Sequence, residues 1–136
     1  MVGIGPRWPR ILAALLGFLG VAAGAFGAHG LRGLVAPEQV HTWETAASYQ
    51  LLHAVALLAV SGWQQSIFSS QLKFWLLWAC GLIVAGVVLF SGSLYLLVLT
   101  GIGAFGPITP LGGLALLAAW LIVLGCGLAR DSHAAP

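Results

Sequence analysis

Side chains able to do chemistry are few: four histidines, two cysteines and three carboxylates in 136 residues. His53 is the best placed of them. Tyr49 precedes it by four residues and Gln50 by three, so on a helix all lie on one face. An imidazole flanked by a phenol and an amide can hold a proton, a polar head group or a neighbouring helix. Glu38, His41 and Glu44 follow one another at steps of three and have the donor types for zinc or copper. They precede an apolar run, so they are expected to form the solvated first turn of a helix. His29 and His53 are both imidazoles, but they differ in depth by about half a membrane, which suits a single haem poorly. Cys80 and Cys126 sit in apolar runs without a CxxC spacing and read as packing residues. No nucleophile has an activating base at useful spacing, so neither an enzyme nor a bound cofactor is expected.

The elements that position these residues are set by composition. Hydrophobic residues make up 60% of the chain and charged residues 6%. Mean hydropathy is +1.04. An aqueous domain carries about 25% charged residues, so the chain reads as a single all-α membrane domain over 1–136. Its length suits four spanning helices, since a bilayer's hydrocarbon core takes roughly 20 residues per helix. The net charge of +2, without a basic patch, argues against nucleic acid as a partner. The lipid bilayer is the expected surrounding, in the inner (plasma) membrane.

The spans are expected near 11–29, 40–62, 73–98 and 110–129. A basic lead-in with Arg7, Trp8 and Arg10 precedes the first. That stretch also has signal-peptide anatomy, with small residues at Ala23 to Ala25, but the reading here keeps it as a span. Gly17, Gly20, Gly24 and Gly27 form a stripe of small residues along it, which lets another helix approach closely. The partner helix could belong to this chain or to a second copy. Pro37 and Glu38 start the second helix, and Ser61-Gly62 are expected to end it. Trp43 and Trp63, twenty residues or roughly 30 Å apart, read as its interfacial belt. The third apolar run, Leu72 to Thr100, exceeds one bilayer and must tilt, protrude or bend, with Ser91-Gly92-Ser93 as the bend site. Residues 101–110 read as a loop, and Trp120 lies mid-span in the fourth helix, where its N–H needs a partner.

Loop charge sets the orientation. Arg7, Arg10, Lys73 and Arg130 fall on one side and only Arg32 on the other, which favours both termini in the cytoplasm. His29, Tyr49, Gln50, Ser91, Ser93, Tyr95 and Thr109 then lie in the outer half of the membrane, with His53 at its middle. A short echo, GAFG at 24–27 and again at 103–106, falls on the outer side twice and raises a two-plus-two repeat.

GAFGAH (24–29), YQLLH (49–53), LFSGSLY (89–95) and TPLGG (109–113), with Trp120, occur in this order. They resemble the YgdD-like family of small inner-membrane proteins, a domain of unknown function with small mitochondrial-type eukaryotic relatives. The resemblance covers roughly residues 10–130 and implies four spanning helices, but carries no activity, substrate or cofactor. Its polar motif residues are the set already grouped by depth. Two functional expectations follow. The first is an accessory or scaffold subunit, working as a homo-oligomer or within a larger membrane complex. The second is a cavity around His53 that binds or transports a quinone, a lipid head group or a proton, lined by His29, Tyr49, Gln50, Ser91, Ser93, Tyr95 and Thr109.

Overall fold

A computed structural model describes residues 5–129. It contains four long helices: α1 (Trp8–His29), α2 (Pro37–Ser66), α3 (Ser70–Thr100) and α4 (Thr109–Leu128). All four are long and apolar enough to cross a membrane. Their ends follow from local chemistry. Prolines stand in the first turns of α1, α2 and α4, where a missing N–H costs nothing. Ala36 has no side-chain oxygen to cap α2, so the cap is one-sided, with Gln39 Oε1 accepting the Ala36 N–H at 3.1 Å. Gly101 closes α3 in the left-handed region (φ 68°), and its N–H returns to the Leu97 carbonyl at 2.9 Å.

Three expectations about the helices change. Gly62 does not end α2. Val60, Ser61 and Gln64 are all buried around it, and the roughly 1 kcal/mol cost of a helical glycine does not outweigh that packing. At 30 and 31 residues α2 and α3 are each about 45 Å long, well beyond a hydrocarbon core. Helix α3 also runs unbroken through Ser91-Gly92-Ser93, with the Ser91 hydroxyl bonded to α2 and the Ser93 hydroxyl to Thr109 at the start of α4. The segment expected as a loop contains a 3-10 stretch, Gly103–Ile108. The first GAFG is α-helical and the second lies in this 3-10 stretch, so the two copies do not share a local structure.

The helices pack in series, α1 on α2, α2 on α3 and α3 on α4, while α1 and α3 barely touch. Close backbone approach makes this possible. A Cβ on Gly27 would stand 2.6 Å from Trp43 Cδ1, and one on Gly20 would stand 2.9 Å from Leu51. Gly17 lies 3.9 Å from Ala54 by the same measure, whereas Gly24 has open space beside it. Most of the α1 stripe is therefore filled by α2 of the same chain. Between α3 and α4 the contact is tighter still, as a Cβ on Gly112 would collide with the backbone of Phe90.

Trp43 is not an interfacial anchor. It is buried, with its ring between Phe26 and Tyr95 and its N–H donated to the Ala23 carbonyl at 2.7 Å. It wedges α1 against α2 and α3. The basic residues Arg7, Arg10 and Lys73 share one end of the helix layer and Arg32 the other; Arg130 lies outside the described residues.

Candidate functional site

Serial packing leaves a groove on each face of the layer, and the polar residues divide between them. On one face, α1 and α3 flank α2. Here Gln50 joins three helices: its Nε2 donates to the Leu16 carbonyl of α1 at 2.9 Å, and its Oε1 accepts the Tyr95 hydroxyl of α3 at 2.9 Å. Ser91 donates to the Ala46 carbonyl of α2 at 2.7 Å. Every one of these contacts ties one helix to another, and each satisfies a group that lipid could not. The groove beside them, about 440 Å³, is walled by Leu19, Val88 and Leu99 among others.

At the junction of α3 and α4, the Ser93 hydroxyl donates to the Phe90 carbonyl at 2.9 Å. A serine has one hydroxyl hydrogen, so the 2.7 Å bond between Ser93 and Thr109 must take its proton from Thr109. That pair fastens the start of α4 to α3.

On the opposite face, α2 and α4 flank α3, and His53 lies there at 4% exposure. Its Nε2 faces the indole Nε1 of Trp120 at 3.2 Å, and its Nδ1 lies 2.8 Å from the Tyr49 carbonyl. An indole nitrogen can only donate. Nε2 is therefore the bare nitrogen, and Nδ1 carries the proton and donates it to the Tyr49 carbonyl. These two contacts define a single tautomer, with the ring clamped at both nitrogens. Tyr49 stacks between His53 and Phe90, with ring centroids 5.9 and 4.4 Å away.

A groove of about 650 Å³ opens beside this cluster between α2 and α4. Leu52, Pro110, Leu114 and Leu117 supply apolar walls, while Tyr49, His53 and Trp120 supply the polar edge. Gly113 also lines it, with space where its side chain would be. The groove is open rather than enclosed, and its lining comes mainly from the middle of α2 and the first half of α4.

The sequence-derived set is thus brought together only in part. Tyr49 and His53 share one groove, Gln50, Ser91 and Tyr95 line the other face, and Ser93 pairs with Thr109 between them. His29 is exposed at the end of α1 and lines neither groove. His29 and His53 therefore share no site. Glu44 faces Arg32 at 3.9 Å on the surface, and among the described residues no three histidines, cysteines or carboxylates group to hold a metal. Cys80 and Cys126 are buried and unpaired. Ser61 Oγ, also buried, has no hydrogen-bond partner.

Two contributors escaped sequence reasoning. Trp120 was expected to need a partner, but which residue met it depended on the register of α4 against α2. Phe90 looked like ordinary apolar filler, and only its stacking on Tyr49 places it at the groove.

Residues 23–113, the stretch holding His53, Tyr49, Phe90 and Gly112, match the family described as "Protein of unknown function (DUF423)". A UPF0382 membrane protein of Staphylococcus aureus (strain bovine RF122 / ET3-1) is 42% identical over 84% of this chain and 89% of its own. The chain belongs to the DUF423/UPF0382 family of membrane proteins. UPF0382 membrane protein YwdK of Bacillus subtilis is 40% identical over 84% of this chain and 90% of its own. UPF0382 inner membrane protein YgdD of Escherichia coli is 36% identical over 87% of each. No solved structure matches the chain. The matched family therefore fixes membrane character and an inner-membrane setting for this DUF423 protein. Its Trp120 lies beyond the matched stretch 23–113.

Proposed function

We propose that this protein binds a small amphiphile from the lipid phase, held in the groove between α2 and α4. One observation carries the reading: an apolar, open groove of about 650 Å³ has a buried, tautomerically defined imidazole at its polar edge. Polar groups at membrane depth that converge on a cavity are the usual mark of a functional site. A groove of this size accepts a head group and part of a chain, within the range of small-molecule sites. The reading is non-enzymatic, since the groove presents no nucleophile with an activating base.

Photolabelling tests it. A diazirine-bearing long-chain alcohol, added to the protein in lipid nanodiscs, is expected to label Leu114, Leu117 or Leu52 above the general lipid-facing background. Gly113→Leu places side-chain bulk at the groove, where the nearest atom to the new Cβ is a Phe90 ring carbon at 4.0 Å. That variant should lose the excess labelling. Uniform labelling around all four helices, unchanged by Gly113→Leu, would contradict the proposal.

An accessory role in a larger assembly rests on less. Gly17, Gly20 and Gly27 pack within the chain, so the stripe leaves only Gly24 beside open space for a second protein. Native mass spectrometry in mild detergent discriminates: a stable oligomer or a co-purifying subunit supports that role, and a uniform monomer opposes it.

A further inference from the structure

Building on the reading of the α2–α4 groove as a ligand site, we infer that it selects an amphiphile whose neutral head carries a hydroxyl, and that this hydroxyl inserts between Trp120 and His53. The argument starts from what the two side chains offer. Trp120 presents an N–H and nothing else. His53 presents a lone pair on Nε2, because its single proton is held on Nδ1 by the Tyr49 carbonyl at 2.8 Å. In the structure the two satisfy each other at 3.2 Å.

A ligand reaching this spot must leave both partners satisfied, because an orphaned polar group at membrane depth is costly. A group that both accepts and donates does so, and a hydroxyl is the smallest, doing both at one atom. A hydroxyl oxygen accepts the indole N–H while its hydrogen goes to Nε2. A ketone or an ether accepts from Trp120 but turns a lone pair towards the lone pair of His53. An ammonium head donates to His53 and strands the indole. A carboxylate fails in the same way as the ketone and adds a buried charge.

Room for the insertion lies on the Trp120 side. Two hydrogen bonds of about 2.7–3.0 Å in sequence require the nitrogens to part to about 4.5–5 Å. His53 is anchored by α2's own backbone, whereas Trp120 is 46% exposed at the groove edge and can turn outward. The apolar body of the ligand then lies along Leu114 and Leu117, which are three residues apart and so line the same face of α4. The Trp120–His53 bond holds the place of the ligand's hydroxyl in its absence.

The test uses a matched pair, 4-octylphenol and 4-octylanisole, which differ by one methyl on the oxygen. Equilibrium binding to the full chain in nanodiscs is measured for both, together with the ¹⁵N–¹H signal of the Trp120 indole. The phenol is expected to bind about tenfold more tightly, the worth of one well-made hydrogen bond. Only the phenol should shift the Trp120 indole signal, with saturation. His53→Leu should abolish the preference, and Trp120→Phe, which leaves Nε2 free to accept, should retain it. Equal affinities in the wild type, an indole signal that ignores the phenol, or a preference surviving in His53→Leu would each overturn hydroxyl selection while leaving the groove as a binding site. Failure of both compounds to bind saturably would overturn the groove reading itself, and hydroxyl selection with it.

Discussion

Trp120 Nε1 and His53 Nε2 stand 3.2 Å apart and join α4 to α2 across a groove whose floor belongs to α3. Because the indole can only donate, this one contact decides which imidazole nitrogen is protonated. It also bridges α2 and α4, which otherwise meet through α3, the helix against which both are packed.

His53→Gln and His53→Leu separate the bridge from the bulk of the side chain. Glutamine supplies a carbonyl oxygen of similar reach for the Trp120 N–H, so the expected loss of stability is under about 0.5 kcal/mol. Leucine strands that N–H, at about 0.6 kcal/mol for an average membrane hydrogen bond and up to about 2. Unfolding in detergent of the three proteins gives the ranking. Equal stability for the leucine and wild-type proteins would remove the bridge from the stability account.

Two glycines of the third and fourth helices make opposite predictions for the same substitution. A Cβ at Gly112 meets the Phe90 backbone, which cannot move aside, so Gly112→Ala should destabilise by about 1–3 kcal/mol through overpacking. Gly92 has open space inside α3, and Gly92→Ala is expected to be neutral or stabilising, by up to about 1 kcal/mol. Thermal unfolding in a common detergent compares them. A tolerant Gly112 would mean that α3 and α4 lie further apart than described.

Much of this architecture was legible in the sequence, and the misses have a common cause. The four spans, the start of α2 at Pro37 and the close-packing stripe of α1 follow from hydropathy, proline chemistry and small-residue spacing, all local properties. Relations within one helix were legible too, since Tyr49 and His53 do share a face. What sequence could not supply was the register between helices. Gln50 and His53 are three residues apart, yet Gln50 reaches α1 and α3 while His53 reaches α4. Trp43 misled for the same reason: its place in the sequence fits a belt, and only the gap left by Gly27 on α1 draws it inward. The end of α2 was missed because a glycine's intrinsic cost was weighed without the burial around it.

Orientation remains a prediction from loop charge, with Arg7, Arg10 and Lys73 inside and Arg32 outside. Single cysteines placed at Phe68 and Leu34, with Cys80 and Cys126 replaced by alanine, occupy exposed positions at opposite ends of the helices. In intact cells a membrane-impermeant maleimide should label position 34 and spare position 68. Labelling at 68 with protection at 34 would invert the topology.

The claim that the α2–α4 groove holds an amphiphile is tested most directly by what the protein carries out of its own membrane. Wild-type protein and the Gly113→Leu variant are extracted into nanodiscs of native lipid, purified and weighed intact by native mass spectrometry. The bound small molecules are then identified after organic extraction. The account predicts a hydroxyl-bearing amphiphile near one per wild-type chain, depleted in Gly113→Leu while the variant remains folded. The same lipid profile for both proteins, with no species enriched over the surrounding bilayer, would contradict it.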